Sequence, residues 1–152
     1  MRQHLPSNHE YLSWDSRCWS KSLHYWEAHV PWNRIQYALE LGANRGGLSL
    51  WLAQKGIQVI CSDVSDSEKS AYPLHQKFGM EKLISYQDID ATRIPYESHF
   101  DMIVCKSVLG GIGSRTLPRS AARAINAEYH VVLDVVWAVP SRRHPRGKAA
   151  RC

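Results

Sequence analysis

The amino-acid sequence predicts an α/β chain: a doubly wound, mostly parallel sheet with helices on both faces. Two observations carry that expectation. Short runs rich in β-branched and apolar residues alternate with segments of mixed or helical apolar spacing, the order that builds a parallel sheet through right-handed crossovers. The first run opens through a glycine-rich turn into a helix, and the second ends on an acid.

Residues 1–35 form an aromatic-rich helical segment, with Tyr11, Trp14, Trp19, Tyr25, Trp26 and Trp32 close together. Packing against the sheet accounts for most of these rings, and a lid over a bound ligand is the sharper alternative. From Gln36 the sheet unit begins with the short run Tyr37-Ala38-Leu39-Glu40-Leu41. Leu48, Leu50, Trp51, Leu52 and Ala53 then read as a largely buried helix that Gly56 ends. The β-branched run Ile57-Gln58-Val59-Ile60-Cys61-Ser62-Asp63 is a second strand. Serines and acids start the next helix, which Leu74, Phe78 and Met80 continue, with Gly79 near its end. Leu83-Ile84-Ser85-Tyr86 supplies a third strand, Pro95 marks a loop, and Phe100-Asp101-Met102-Ile103-Val104-Cys105 is a fourth strand before a second turn at Gly110, Gly111 and Gly113. Further on, Ala121 to Glu128 is a candidate helix and Val131 to Trp137 a candidate strand, so the domain is expected over 36–137. Residues 138–152, with Pro140, Arg142, Arg143, Pro145, Arg146 and Lys148, read as a basic, disordered tail.

At 152 residues the chain is expected to hold one domain with one real core. Its 44% apolar and 22% charged residues are ordinary for a globular protein, and no stretch approaches the roughly 20 apolar residues that span a bilayer. The start, Met1-Arg2-Gln3-His4, lacks the apolar run of a secretory signal, and the cytoplasm is the expected location. The net charge of +5 is lopsided: residues 1–113 hold 11 basic and 12 acidic side chains, a net −1, while residues 114–152 hold 8 and 2, a net +6. Nucleic-acid binding is therefore disfavoured for the folded part and would depend on the tail. Cys18, Cys61, Cys105 and Cys152 are scattered without metal-ligand spacing and read as reduced thiols, with Cys61 and Cys105 as small buried hydrophobes. The dispersed histidines are expected to serve as surface or capping residues, and no metal site is predicted.

The segment Glu40-Leu41-Gly42-Ala43-Asn44-Arg45-Gly46-Gly47 joins the first strand to its helix, where backbone comes close to a ligand and glycine permits the approach. Asn44 departs from a glycine-rich pattern at a position that asparagine tolerates, because it enters left-handed backbone more easily than most residues. Asp63 ends the second strand, where a carboxylate can accept from both ribose hydroxyls of an adenosine ligand. Both features also occur in NAD-binding enzymes. Glu40 two residues before the first glycine, and Asp90-Ala91 just ahead of Ile94-Pro95, separate the two readings. The pattern E-x-G-x-x-x-G, an acid after the second strand, then D-A-x-x-x-P ahead of F-D-x-I-V, resembles class I S-adenosylmethionine-dependent methyltransferases over roughly residues 36 to 113.

The resemblance implies a Rossmann-like fold and S-adenosyl-L-methionine as cofactor. Gly42, Asn44 and Gly46 would line its methionine moiety, Asp63 would hold the ribose, and Asp90 and Ala91 would flank the adenine. Glu40 would act through the cofactor's amino-acid end or its water. Lys106 and Ser107 fall where this family places cofactor- or substrate-facing residues. For Asp63 and Asp90 the competing role is to cap the helices that follow, and for Lys106 it is a solvated loop charge. The implied reaction moves the sulfonium methyl in line to an acceptor that the sequence does not name, expected to be a small molecule, and no residue is designated a general base. The family's continuation after Gly113, a helix and then a strand led by a turn like L-K-P-G-G, is not visible. With the break in composition, a truncated or frame-shifted product and an incomplete sheet are the expectation, against a natural basic tail. A cofactor-binding remnant without activity is the second functional reading, an NAD-binding oxidoreductase the third.

Overall fold

The computed structural model describes residues 5–13, 16–106, 108, 116–126 and 131–133. The chain runs through α1 (Asn8–Leu12), α2 (Ser16–His29), a 3-10 turn (Trp32–Arg34), β1 (Tyr37–Leu41), α3 (Gly47–Ala53), β2 (Gln58–Asp63), α4 (Ser67–Lys77), β3 (Ile84–Asp88), β4 (Met102–Cys105), α5 (Thr116–Ala124) and β5 (Val131–Leu133). The five strands among the described residues are all parallel, in the order β3-β2-β1-β4-β5. The sequence therefore steps outward from β1 through β2 to β3, then returns to the other side of β1 for β4. That reversal is the switch point of an open α/β sheet.

Strand alternation feeds two cores. Ala38, Val59, Cys61, Met102 and Val104 point to the face covered by α1, α2, α3 and α4, whereas Leu39, Leu41, Ile103 and Cys105 point to the face where Ala121 and Ala124 of α5 pack. With right-handed crossovers, reversing the direction of strand addition moves the helices to the opposite face, so the order of the strands and the two cores are one fact. Cys61 and Cys105 are buried, one in each core.

Differences from the expected elements are local. α4 stops at Lys77, because Phe78 leaves helical geometry and Gly79 adopts φ +68°; Phe78 and Met80 thus lie outside the helix. β3 runs two residues further than expected, to Asp88, in register with Asp63 of β2. Phe100 and Asp101 precede β4. Phe100 bridges to Ile125, and Asp101 Oδ2 accepts from the amides of Gln36 and Tyr37 at 2.9 and 3.0 Å, holding the start of β1 against the start of β4. α5 begins at Thr116 and ends at Ala124, so its first turn precedes and its last turn falls short of the expected 121–128. The turn at 110–113, Trp14 and the tail at 138–152 lie outside the described residues. No helix among the described residues is long and apolar enough to cross a membrane.

The aromatic segment is mainly packing. Trp19, Leu23 and Trp26 are buried in the first core, Trp26 and Trp32 lie 6.1 and 5.1 Å from the Trp51 ring of α3, and Lys55 Nζ sits 4.6 and 4.7 Å from the Trp32 and Trp51 rings. α1 is tied down separately, by Tyr11 Oη donating to Gln54 and by Lys77 Nζ against Glu10 at 2.7 Å. Lys77, followed by the Ser7 amide, pulls the Glu10 carboxyl down to about 2.

Candidate functional site at the switch point

The carboxyl ends of the strands place the candidate residues along one edge. Leu41 pairs with Ser62 of β2 and with Cys105 of β4, so Gly42, Asp63 and Lys106 all begin at the same level. Asp63 pairs with Asp88, which puts Asp90 just beyond the tip of β3. Crevices outside the carboxyl ends of the strands, at the switch point, are where such sheets bind ligands.

The turn 42–47 is held in three left-handed steps: Gly42 at φ +65°, Asn44 at +49° and Gly46 at +72°. Ala43 donates to Ser62 O at 2.9 Å and Asn44 N to Asp63 Oδ2 at 2.9 Å, so the turn is fastened to the tip of β2. Asp63 Oδ1 accepts from Val64 N at 2.8 Å. A carboxylate has about four acceptor positions, and two backbone amides leave about two for a ligand.

The glycines do not all serve the ligand side. A Cβ on Gly46 would lie 2.5 Å from His75 Nε2 and 2.8 Å from Ala71 Cβ, both on α4 behind the turn, and one on Gly47 would lie 2.0 Å from the Tyr11 carbonyl oxygen of α1. At Gly42 the obstacle is Val108 Cγ2, at 2.5 Å. Packing of α1 and α4 onto the turn therefore demands glycine at 46 and 47, whatever the ligand demands.

Glu40 is 3% exposed and turned inward, with Oε2 accepting from Ser49 N at 2.7 Å and Ser49 Oγ at 2.5 Å. It caps the first turn of α3. Burial pushes its carboxyl up to about 7 against the opposing pull of those donors. Asp90 is exposed; its Oδ1 accepts from Thr92 Oγ1 and Thr92 N at 2.7 and 2.8 Å, and these bonds hold its carboxyl below the usual range. Ala91 is buried in the second core, and so anchors the loop that carries Asp90. Lys106 Nζ lies 5.2 Å from the Trp19 ring centroid, half-buried rather than solvated. Ser107 lies outside the described residues.

Two neighbours of the candidate site escaped the sequence reading. Asp88, not Asp63, caps α4: its Oδ1 accepts from Ser67 N and Ser67 Oγ at 3.0 and 2.7 Å, and its Oδ2 from Asp66 N at 3.2 Å. His75, expected in a surface or capping role, is 0% exposed. Its signal was the four-residue spacing from Ala71, which puts both on the buried stripe of α4.

Tyr11, Leu12 and Ser13 approach the turn, leaving a cavity of about 30 Å³ bounded also by Glu40, Asn44 and Lys106. That is about the space of one water molecule. Larger depressions of about 320 and 490 Å³ lie at the opposite edge of the sheet, by Tyr37 and His99, and beside α4 and the outermost strand β3. The first lies away from the carboxyl ends of the strands, and the second is lined by Asp66, Ser67 and Asp88 beside the tip of β3.

An open parallel sheet whose switch point carries a glycine turn fastened to an acid on the neighbouring strand has the architecture of a class I methyltransferase. The methyltransferase domain family model matches residues 39–127, more than half of the chain, and the chain belongs to that family. Among solved structures it is similar to the PH0226 protein of Pyrococcus horikoshii OT3, at TM-score 0.65 and 17% identity over 84% of this chain and 61% of that one. It is likewise similar to the YcgJ protein of Bacillus subtilis, at 0.62 and 22% over 74% and 49%. A third is the glycopeptide N-methyltransferase MtfA, in complex with S-adenosyl-L-methionine, at 0.60 and 16% over 74% and 52%. The chain thus spans less than two thirds of the length of these proteins. No curated protein matches the sequence.

Proposed function

We propose that the chain binds S-adenosyl-L-methionine at the switch point and serves methyl transfer to a small-molecule acceptor in the cytoplasm, within a domain spanning 36–137. The observation that carries this reading is the Asp63–Asn44 fastening, which makes the ribose-directed acid and the glycine turn one unit at the level of the strand tips. When bound, the cofactor supplies an electrophilic methyl on its sulfonium. Asp63 accepts from the ribose hydroxyls, the turn from Gly42 to Gly46 lies along the methionine moiety, and Asp90 and Ala91 flank the adenine, with Asp90 retaining its second carboxylate oxygen for the exocyclic amine. Lys106 borders the same cavity from the tip of β4. Glu40 acts from inside, by fixing the start of α3 and with it the turn. The family membership and the solved complex of MtfA support the choice of ligand.

The donors fit this ligand, and Tyr11 to Ser13 border the cavity beside the turn. From there Tyr11 to Ser13 cover the methionine end of the bound cofactor. α1 thereby combines the two roles expected of the aromatic segment. A small acceptor is favoured over nucleic acid because residues 1–113 carry a net −1 and offer no basic footprint.

Calorimetric titration with S-adenosylhomocysteine tests the proposal. Wild-type binding in the micromolar range, weakened at least about tenfold in Asp63→Ala, is expected, since each hydrogen bond to a charged acceptor is worth about 1.5–3 kcal/mol. A folded wild-type chain that binds NAD and not S-adenosylhomocysteine would overturn it. Binding without methyl transfer to any acceptor would leave the cofactor site standing and favour the inactive remnant.

A further inference from the structure

His75 of α4 is buried directly behind the glycine turn, with Nε2 2.8 Å from the Gly46 carbonyl oxygen and Nδ1 2.8 Å from Tyr86 Oη of β3. A carbonyl only accepts, so Nε2 carries the proton of that bond; Nδ1 of the neutral ring then accepts from the Tyr86 hydroxyl. Burial favours the neutral ring by lowering its pKa, partly opposed by the Gly46 bond. The His75 and Tyr86 rings stack, 5.6 Å apart at 22°. The Gly46 carbonyl thus sets the tautomer, and the Tyr86 hydroxyl, by donating to Nδ1, steadies the ring in it.

We propose that His75 is a positioning residue for the cofactor's amino-acid end, holding the Gly46–Gly47 peptide plane at the angle the ligand requires. The Gly46 carbonyl takes two bonds, from His75 behind and from Leu50 N at 3.0 Å within α3, so its direction is fixed by two elements at once. In a trans peptide the N–H points opposite to the carbonyl. With the oxygen on the α4 side, the Gly47 amide faces the cavity that Gly47 lines together with Asn44 and Lys106. Gly46 has no side chain to keep His75 away, and a Cβ there would collide with the ring. The inference rests on the cofactor reading above, because only that reading places a methionine moiety against the turn.

Its test separates the two parts of the ligand. Wild type, His75→Ala, His75→Gln and Tyr86→Phe are titrated with S-adenosylhomocysteine and with 5′-methylthioadenosine, which lacks the amino-acid end, and thermal unfolding is followed in parallel. His75→Ala is expected to weaken S-adenosylhomocysteine by roughly two- to thirty-fold while 5′-methylthioadenosine changes little. His75→Gln, whose amide can still donate to the Gly46 carbonyl, restores most of the loss. Tyr86→Phe, which removes the hydroxyl that steadies the ring through Nδ1, gives a smaller loss with the same selectivity, and it carries the test with His75→Gln if His75→Ala does not fold. Equal weakening of both ligands, or none in these variants, overturns the positioning role alone. A wild-type chain that binds neither ligand overturns the cofactor reading, and this inference with it.

Discussion

Replacing Gly46 by alanine measures how far the turn is built for its protein neighbours rather than for a ligand. Two costs add at that position. Alanine in left-handed backbone costs about 1–2 kcal/mol, and Gly46 sits at φ +72°. The new methyl would also lie 2.5 Å from His75 Nε2 and 2.8 Å from Ala71 Cβ, and overpacking of this kind costs about 1–3 kcal/mol. Gly79 supplies the control: its φ is +68°, and nothing lies within 4 Å of its Cβ position, so Gly79→Ala pays the backbone cost alone. In a chain of this size about 1 kcal/mol corresponds to roughly 2–4 °C in Tm. Gly79→Ala is expected to lower Tm by roughly 2–8 °C and Gly46→Ala by roughly 4–20 °C. Denaturant unfolding of both variants, each also made in the His75→Ala background, reads the two costs separately. With the ring removed, Gly46→Ala should be less costly, whereas Gly79→Ala should not respond. Equal losses at 46 and 79, or no coupling between 46 and 75, would refute the account of the turn.

Other consequences are also measurable. The Glu40 carboxyl titrates at about 7 in the fold against an ordinary 4.5, so the folded chain keeps a proton that the unfolded chain releases between these values. Stability is therefore highest below pH 4.5 as far as this group is concerned, and falls by about 3 kcal/mol as pH rises to 7. Glu40→Gln should flatten that slope in urea unfolding followed across pH 4.5–7.5, and an unchanged slope would assign it to another group. Burial, and then the charge of Glu40, raises the Cys61 thiol pKa well above its usual value. Alkylation mapped by mass spectrometry should leave Cys61 and Cys105 unmodified until the chain unfolds, and fast labelling of either would contradict their burial. Binding of S-adenosylhomocysteine should alter hydrogen exchange in residues 8–13 as well as in the turn 42–47; an effect confined to the turn would exclude cover of the ligand by α1.

The sheet was legible because its signals are dense. Five parallel strands bury both faces, so β1, β2 and β4 read as nearly continuous apolar runs, and Asp63 was visible as the polar break at the end of one of them. Boundaries were less legible where a single contact decides them. Asp88 extends β3 because its carboxylate caps a helix twenty-one residues earlier in sequence, a partnership no local pattern announces. Ser67, the residue it holds, looked like any helix-starting serine. Asp101 read as part of a family pattern, yet its carboxylate ties the beginnings of β1 and β4 together, a structural use that the motif alone does not express. Polar side chains inside a core, such as His75 and Glu40, were hidden for a common reason. Their roles depend on partners that a local pattern does not name, Gly46 and Tyr86 for His75 and Ser49 for Glu40.

A motif glycine is usually taken as the mark of a close ligand, since the missing Cβ leaves room for it. Here the missing Cβ atoms at 46 and 47 are needed on the other side, by an imidazole and by the backbone of α1. The two demands are not rivals. Side chains that press against the back of the turn orient its amides toward the front, and a turn packed in this way keeps its shape before any ligand arrives. The same reasoning accounts for Glu40, which reaches the turn only through the first residues of α3. The spacing E-x-G-x-x-x-G thus describes a piece of protein architecture, with an inward carboxylate at one end and an imidazole-backed glycine at the other. Ligand specificity would then depend on Asp63 and Asp90, whose carboxylates are at the strand tips rather than behind them.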